Sequence, residues 1–420
     1  MQPELTVAIP TYNRINSLKQ SLKLAIKYFK EKNVEVFVSD NASTDGTQKY
    51  MTEIRSIYPE IKYYRNEKNL GLDGNFLNCF NKAKGKYLFI LSDDDYLLPG
   101  ASEDIFKAIK REPVFIHLNT SGIVSQNPLK YGKPRFVEKG LIEIEDKNIF
   151  LQYVGIYISF VSSLIFNVEL VQSICNKEKY YGGNLLLSHI ALRTMKKNGK
   201  YIIITRNCLA ATGNITVGYD VYDTWIKEFS RVMLITGCEC GFEISVLNKI
   251  LHRELATIVL DFVLYYRQTC SNEKMWNLSS IWTYIEKYPD LTLFYKLALY
   301  TSISKLDKIK TEIINRKIEL IVQFAKKFDN IYFYGAGENA KYLYKCLKDM
   351  NISIKGFLVT DNPVNFSFCG LPMYQFRKRR LSSEIDGIIV TMALESQLEI
   401  IPMLEKSGFK KNVYFQDIRR

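Results

Sequence analysis

Tyr87-Leu-Phe-Ile-Leu-Ser-Asp-Asp-Asp95 is an apolar run that ends in three adjacent carboxylates. The apolar part has the length and character of a short buried strand. An unpaired carboxylate is costly to bury, so three at a strand tip call for solvent or a cation. Hard oxygen ligands in that place suit Mg²⁺ or Mn²⁺, which could also hold a substrate diphosphate. A solvated acidic turn is the competing reading, because Asp favours turns and Pro99-Gly100 closes this one.

The segments before it decide the fold class. Leu5-Thr-Val-Ala-Ile9 reads as a buried parallel strand, stopped by Pro10 and followed by the loop Thr11-Tyr-Asn-Arg14. Leu18, Leu22 and Ile26 then share one face of a helix. Val34–Val38 is a second strand that ends at Ser39-Asp40-Asn41, and Ile61–Tyr64 is a third. Strands alternating with helices imply an α/β, doubly wound parallel sheet. Ligands of such sheets bind beyond the carboxyl ends of the strands. Thr11, Asp40, Asn41 and Asp93–Asp95 all fall on that edge.

Four stretches at this edge carry a resemblance. They are Val7-Ala-Ile-Pro-Thr-Tyr-Asn-Arg14, Val38-Ser-Asp-Asn-Ala-Ser-Thr-Asp-Gly-Thr47, Asn69-Leu-Gly-Leu-Asp-Gly-Asn-Phe76 and Ala83 through Asp95. In this order and spacing, residues 5–100 resemble the nucleotide-sugar-binding half of a family-two GT-A glycosyltransferase of the bacterial surface-polysaccharide type. The resemblance implies that Pro10, Thr11, Tyr12 and Arg14 wrap the donor nucleoside, and that Asp40 hydrogen-bonds the base. Asn69, Gly71 and Asn75 would flank the donor, with Gly71 supplying a tight turn. Asp45 matches a helix-opening position. The metal motif lies within Ser92–Asp95. Alignment through Leu97-Leu-Pro-Gly100 sets Ser92 where the first Asp often stands. Asp93 would then hold the ribose or metal waters and Asp94 the metal, with Asp95 able to replace either. The implied reaction is transfer of a sugar from a nucleoside diphosphate, assisted by Mn²⁺ or Mg²⁺, with inversion at the sugar carbon.

Inversion needs a general base facing the acceptor. Members of the family often carry a Glu-Asp pair at the start of a later helix. Here Gly182-Gly-Asn-Leu-Leu-Leu-Ser-His189 stands in that place, with no acidic pair. His189 is the expected base or acceptor contact, since imidazole titrates near neutrality. Asp220 and Asp223 are alternatives, and Arg206 and Asn214 are expected to face the diphosphate. Pro113–Asn119 and Ile158–Phe166 are expected strands, and residues 120–150 a loop over the acceptor.

The expected domains are a GT-A domain over 1–220, a helical connector over 221–328 and a small Rossmann-like α/β module over 329–420. Amphipathic stretches at Ile250–Tyr266 and Trp282–Leu297 mark the connector. The C-terminal module opens with Ile331-Tyr-Phe-Tyr-Gly-Ala-Gly337, a strand feeding a Gly-rich turn, a phosphate-cradling geometry. Gly335, Gly337 and Asp361 form a candidate second nucleotide site, although Ala340 replaces the third glycine. This module resembles small Rossmann-like modules of bacterial polysaccharide enzymes. A structural or homo-oligomer-forming role is the alternative.

The chain has 420 residues, of which 47% are hydrophobic, so it can bury a sizeable core. Its formal net charge is +13, which suits an anionic donor and an anionic membrane face. No nucleic-acid-binding motif accompanies the charge. Eight cysteines without zinc-like spacing, and no signal peptide, lead to an expectation of free thiols in a reducing cytoplasm, with peripheral contact at the inner membrane face. The expected partners are a nucleoside-diphosphate sugar and a saccharide or lipid-linked saccharide acceptor of capsule or lipopolysaccharide synthesis. Two other functions compete: a catalytically lapsed nucleotide-sugar-binding scaffold, and a bifunctional enzyme whose C-terminal module modifies the sugar.

Overall fold

The computed structural model of the protein describes residues 2–30, 32–122, 132–212, 220–269, 278–392, 394–409 and 413–415. The chain divides into two compact units, Met1–Val259 with Asn272–Tyr288 and Leu260–Ser271 with Pro289–Arg420. The helices between residues 221 and 328 are thus shared between the units.

The first unit is built on one mixed sheet. Its strands are β1 (Leu5–Thr11), β2 (Val34–Asp40), β3 (Lys62–Arg65), β4 (Tyr87–Ile90), β5 (Tyr96–Leu97), β6 (Phe115–Gly122), β7 (Leu141–Ile144), β8 (Leu164–Asn167) and β9 (Tyr201–Ala211). They lie in the order β3-β2-β1-β4-β8-β6-β9-β5, with β7 pairing to β9. Every residue of β1 is buried, which is why its sequence shows no polar alternation. β1 runs parallel to β2 and β4, with Thr11 opposite Asp40 and Ala8 opposite Ile90. That register brings the carboxyl ends of the three strands to one edge. Helix α1 (Ile15–Phe29) buries Leu18, Leu22, Ala25 and Phe29 against the sheet, the spacing of one helical face. Helices α2 (Thr47–Ile57), α3 (Gly71–Lys82) and α4 (Ala101–Ile109) complete the parallel half.

Beyond β4 the sheet turns antiparallel through β8. The strand expected over Ile158–Phe166 is shorter than its sequence suggests. Residues 155–163 form two 3₁₀ turns, and pairing begins only at Leu164. The Ser159 hydroxyl donates to the Ile156 carbonyl at 2.5 Å and Ser163 to Phe160 at 2.7 Å. These local bonds compete with the ladder. Part of the loop expected over 120–150 lies outside the described residues. The rest holds β7 and helix α5 (Lys147–Val154), capped by Asp146. Helices α6 (Val168–Gln172) and α7 (Leu186–Thr194) follow.

The amphipathic stretch over Ile250–Tyr266 is two helices, Ile244–Ala256 and Ile258–Thr269, broken at Thr257. Trp282–Leu297 likewise divides between Leu278–Ile285 and Pro289–Tyr300. Proline lacks an N–H and fits a first helical position, so it opens the second helix.

The second unit contains β10 (Asn330–Tyr334), β11 (Ile354–Val359), β12 (Ser367–Phe368), β13 (Leu371–Gln375), β14 (Asp386–Val390) and β15 (Val413–Phe415). Their order is β12-β13-β11-β10-β14-β15, parallel except for β12. The order reverses at β10, as in doubly wound nucleotide-binding sheets. Side chains of β10 alternate between two cores. Ile331 and Phe333 pack toward helices Leu306–Ala325 and Glu338–Asp349, while Tyr332 and Tyr334 pack toward Leu404 and Phe409.

Candidate functional site

The site lies where β1 and β4 end. The Leu91 amide donates to Ala8 O at 2.9 Å, carrying the pairing of the two strands to their tips. Thr11 Oγ1 then donates to Asp93 Oδ2 at 2.6 Å. Arg14 Nη1 donates to Asp93 Oδ1 at 3.2 Å and to Asp94 Oδ2 at 2.9 Å. Ser92 Oγ donates to the other Asp94 oxygen at 2.6 Å. Asp95 is held separately: Ser162 Oγ donates to its Oδ2 at 2.6 Å and accepts from the Ser92 amide at 2.9 Å. One hydroxyl thus ties the start and the end of the acidic turn to the 3₁₀ turn before β8.

Burial governs the charges. It pushes the Asp93 carboxyl up to about 6, helped by repulsion from Asp94 and opposed by Thr11 and Arg14. Asp95 is pushed up to about 7 by burial and Asp94, against the Ser162 hydrogen bond. Asp93 and Asp94 converge on a cation, the Arg14 guanidinium, so the geometry favours positive charge at this point. Among the described residues no three His, Cys, Asp or Glu side chains gather into a metal cage. Two carboxylates nevertheless fit Mg²⁺ or Mn²⁺ bound together with a diphosphate, since Mg²⁺ is usually held by one or two carboxylates plus phosphate and water.

The second strand tip is a network of amides. Asp40 is fully buried; Oδ1 accepts from the Ser43 amide at 2.8 Å, and Oδ2 accepts from the Tyr63 hydroxyl at 2.5 Å, with Arg65 3.6 Å away. Asn41 binds the Gly-punctuated turn: its Nδ2 donates to Asn69 Oδ1 and Gly71 O, and its Oδ1 accepts from Asn66 and from the Leu70 amide. Gly71 has φ +74°, a conformation that glycine adopts without strain. Asn75 is held by Ser39, from whose hydroxyl its Oδ1 accepts at 2.7 Å and to whose carbonyl its Nδ2 donates at 2.9 Å, while Asn66 Nδ2 also donates to that Oδ1 at 3.4 Å. Pro10 lies within β1 opposite Ser39, and Tyr12 is 43% exposed on the loop beyond. Asp45 opens both neighbouring helices, accepting from the Ile15 amide at 2.8 Å and from Thr47 Oγ1 at 2.7 Å.

Residues 6–171 match the family described as Glycosyl transferase family 2. They form a family 2 glycosyltransferase domain. A β-1,3-glucosyltransferase of Campylobacter jejuni, named for GalNAc(5)-diNAcBac-PP-undecaprenol, is 28% identical over 189 residues, 44% of this chain and 58% of that protein. The abequosyltransferase RfbV of Salmonella typhimurium is 41% identical over 95 residues, 22% of this chain and 28% of that protein. The chain therefore spans less than two thirds of the length of either relative. In fold, the transferase domain's neighbours include Staphylococcus aureus TarS 1-349 in complex with UDP-GlcNAc, with TM-score 0.51 and 15% identity over 76% of this chain and 92% of that chain.

On α7, beyond the span of the family match, His189 is 2% exposed. Its Nε2 lies 2.9 Å from Glu228 Oε1, its Nδ1 lies 2.7 Å from Thr236 Oγ1, and Tyr180 stacks on the ring at 4.3 Å. Burial works against ionised Glu228, but His189 and Arg231 prevail and hold its carboxyl below the usual range. Both imidazole nitrogens are therefore engaged inside the protein. A different carboxylate reaches the loop before α7. Asp73, in the first turn of α3, accepts from the Gly182 amide at 2.9 Å. Among the described residues its Oδ1 has no hydrogen-bond partner, and burial raises its pKa although the Gly182, Leu186 and Asn184 amides favour its charged form. Asp73 stands inside the quoted 69–76 stretch, yet its partner is 109 positions away. Asp220 caps the turn at Tyr222 and Asp223, and Asp223 is half-exposed. Arg206 is drawn to Asp104 on α4, at 2.5 Å. Asn214 lies outside the described residues.

In the second unit Gly335 has φ +103°, and a Cβ there would run into the Met392 side chain. Thr391 Oγ1 donates to the carbonyls of Tyr334 and Gly335 at 3.1 and 3.0 Å, fixing the turn. Space beside Gly337 is open, and Asp361 is exposed after β11.

Proposed function

We propose that the chain transfers a sugar from a nucleoside-diphosphate donor to a saccharide or lipid-linked saccharide acceptor in bacterial surface-glycan synthesis, with inversion and with help from Mg²⁺ or Mn²⁺. The observation that carries this reading is the convergence of Thr11, Arg14, Asp93 and Asp94 at the carboxyl edge of a family 2 transferase sheet. The names of the relatives, one of which specifies an undecaprenol-linked saccharide, support the acceptor class. No helix among the described residues is long and apolar enough to cross a membrane, so work at the inner membrane face would be peripheral.

The donor nucleoside lies against Pro10, Thr11, Tyr12 and the Asp40 edge, with the Asn69–Asn75 turn alongside. Asp93 and Asp94 would hold the metal, with Asp95 behind them. When bound, the metal neutralises the negative charge that develops on the leaving diphosphate. Arg14 leaves its carboxylate pair to meet phosphate, for which its planar fork is suited. Asp73, whose buried Oδ1 has no hydrogen-bond partner among the described residues, takes the acceptor hydroxyl's proton; the freed oxygen attacks the sugar's anomeric carbon while its bond to the diphosphate breaks. His189 then acts by positioning α7 through Glu228 and Thr236. The Gly335–Gly337 turn is a second nucleotide site to be tested in the same screen.

The experiment is nucleotide release from UDP-, GDP-, CDP- and dTDP-sugars, with and without undecaprenyl-diphosphate saccharides, with products weighed by mass spectrometry. Acceptor-dependent release supports transfer. Asp73→Asn should lower kcat by more than it weakens donor binding and should alter the pH profile of kcat. Donor binding without release onto any acceptor would favour the lapsed-scaffold reading, which the missing acidic pair at α7 motivates.

A further inference from the structure

The two most exposed large apolar side chains among the described residues are neighbours in the second unit: Val364 at 96% and Phe366 at 84%. They lie on the loop that joins β11 to β12, ahead of the tight β12–β13 hairpin. Cys369 and Gly370 turn that hairpin with φ +52° and +78°. The Met373 amide donates to Phe366 O at 2.9 Å, so the backbone under the tip is fastened while its side chains project. Two apolar groups in this position gain nothing for folding.

Beside the tip stands Arg377-Lys-Arg-Arg380, all four exposed. Phe376, 7% exposed, roots this run in the core. Lys378 Nζ then donates to Asn362 Oδ1 at 3.0 Å, two positions before Val364. Arg379 stacks on Tyr374 at 4.4 Å and donates to the Tyr332 hydroxyl at 3.2 Å. The basic run is thereby folded against the root of the apolar tip. Between residues 361 and 380 the only acid is Asp361, against these four bases.

We propose that the Val364–Phe366 tip with Arg377–Arg380 is a membrane-docking element that inserts its apolar side chains among anionic headgroups. An apolar tip enters the headgroup boundary while the surrounding cations meet lipid phosphate. A protein partner fits less well. A stable protein interface takes about 800 Å² per partner, more than two side chains on a narrow loop offer.

The test uses the purified full chain with vesicles of phosphatidylcholine alone or mixed with phosphatidylglycerol, and it needs no transfer activity. The wild type should sediment with the anionic vesicles, less so at high salt, and not with the neutral ones. Each cation lost in Arg377→Ala and Arg380→Ala should lower partitioning about fivefold. Val364→Ser with Phe366→Ser should lower it about tenfold. All four sites are exposed, and unchanged melting would show that the variants fold. Phe366→Trp should gain a blue-shifted emission component on anionic vesicles only. No sedimentation, equal binding by the variants, or an unshifted indole emission from Phe366→Trp would overturn the proposal. So would light scattering that shows a dimer in the wild type and a monomer in the serine variant, since the tip would then join two copies of this chain.

Discussion

Arg14 Nη1 lies 2.9 Å from Asp94 Oδ2, although the two residues come from different strand tips, β1 and β4. The same nitrogen is 3.2 Å from Asp93 Oδ1. Without a bound cation, the guanidinium neutralises the carboxylates that are proposed to take one. Arg14 and the metal should therefore compete. Arg14→Gln should bind Mn²⁺ severalfold more tightly than the wild type in the absence of nucleotide, by isothermal titration or electron paramagnetic resonance. Asp94→Asn should bind it at least about tenfold more weakly, the loss of one charged ligand. Unaltered Mn²⁺ affinity in both variants would place the metal elsewhere.

Asp95 should make stability depend on pH. Burial, and then repulsion from Asp94, push its carboxyl up to about 7 in the folded chain, from the ordinary value of 3.8. The folded state therefore favours the protonated form. The associated stability is fully present below about pH 4 and is lost as pH rises toward 7. Each pH unit in that window is worth at most about 1.4 kcal/mol. Asp95→Asn keeps an oxygen for Ser162 and removes the charge. Its melting temperature should exceed the wild type's by more at pH 8 than at pH 5. An equal difference at both values would contradict the burial argument.

Glu228 should depend on His189 for its place in the interior. Glu228 is 6% exposed and His189 2%. Leaving a buried polar group without its hydrogen-bond partner costs about 1–3 kcal/mol, and the loss is moderated here because Arg231 still reaches Glu228 at 2.8 Å. His189→Leu should lose about 1–3 kcal/mol in urea unfolding, while the nucleotide-induced thermal shift persists. A variant of unchanged stability that no longer transfers sugar would restore His189 as the base.

The parallel half of the first unit was legible because each strand there is a short apolar run with a polar tip. Burial of all of β1 and the helical spacing of Leu18 and Leu22 leave a periodic mark in sequence. The acidic turn stood out for the same reason: it directly follows a buried strand. What sequence did not reveal depends on distant partners. Ser162 grips Asp95 because a 3₁₀ turn replaces the expected strand, and His189 meets Glu228 and Thr236 only through tertiary packing. The break at Thr257 left no mark either. Its hydroxyl bonds the Arg253 carbonyl at 2.8 Å, a local choice that a mid-helix threonine does not announce.

The most direct measurement is a thermal-shift screen of the full chain against UDP-, GDP-, CDP- and dTDP-sugars, with and without Mn²⁺. A ligand that binds the folded state raises the melting temperature by mass action. The expected result is a rise with one nucleotide class that depends on Mn²⁺ and disappears in Asp94→Ala. A rise that survives Asp94→Ala would contradict the metal assignment, and no rise with any nucleotide would contradict the donor site itself.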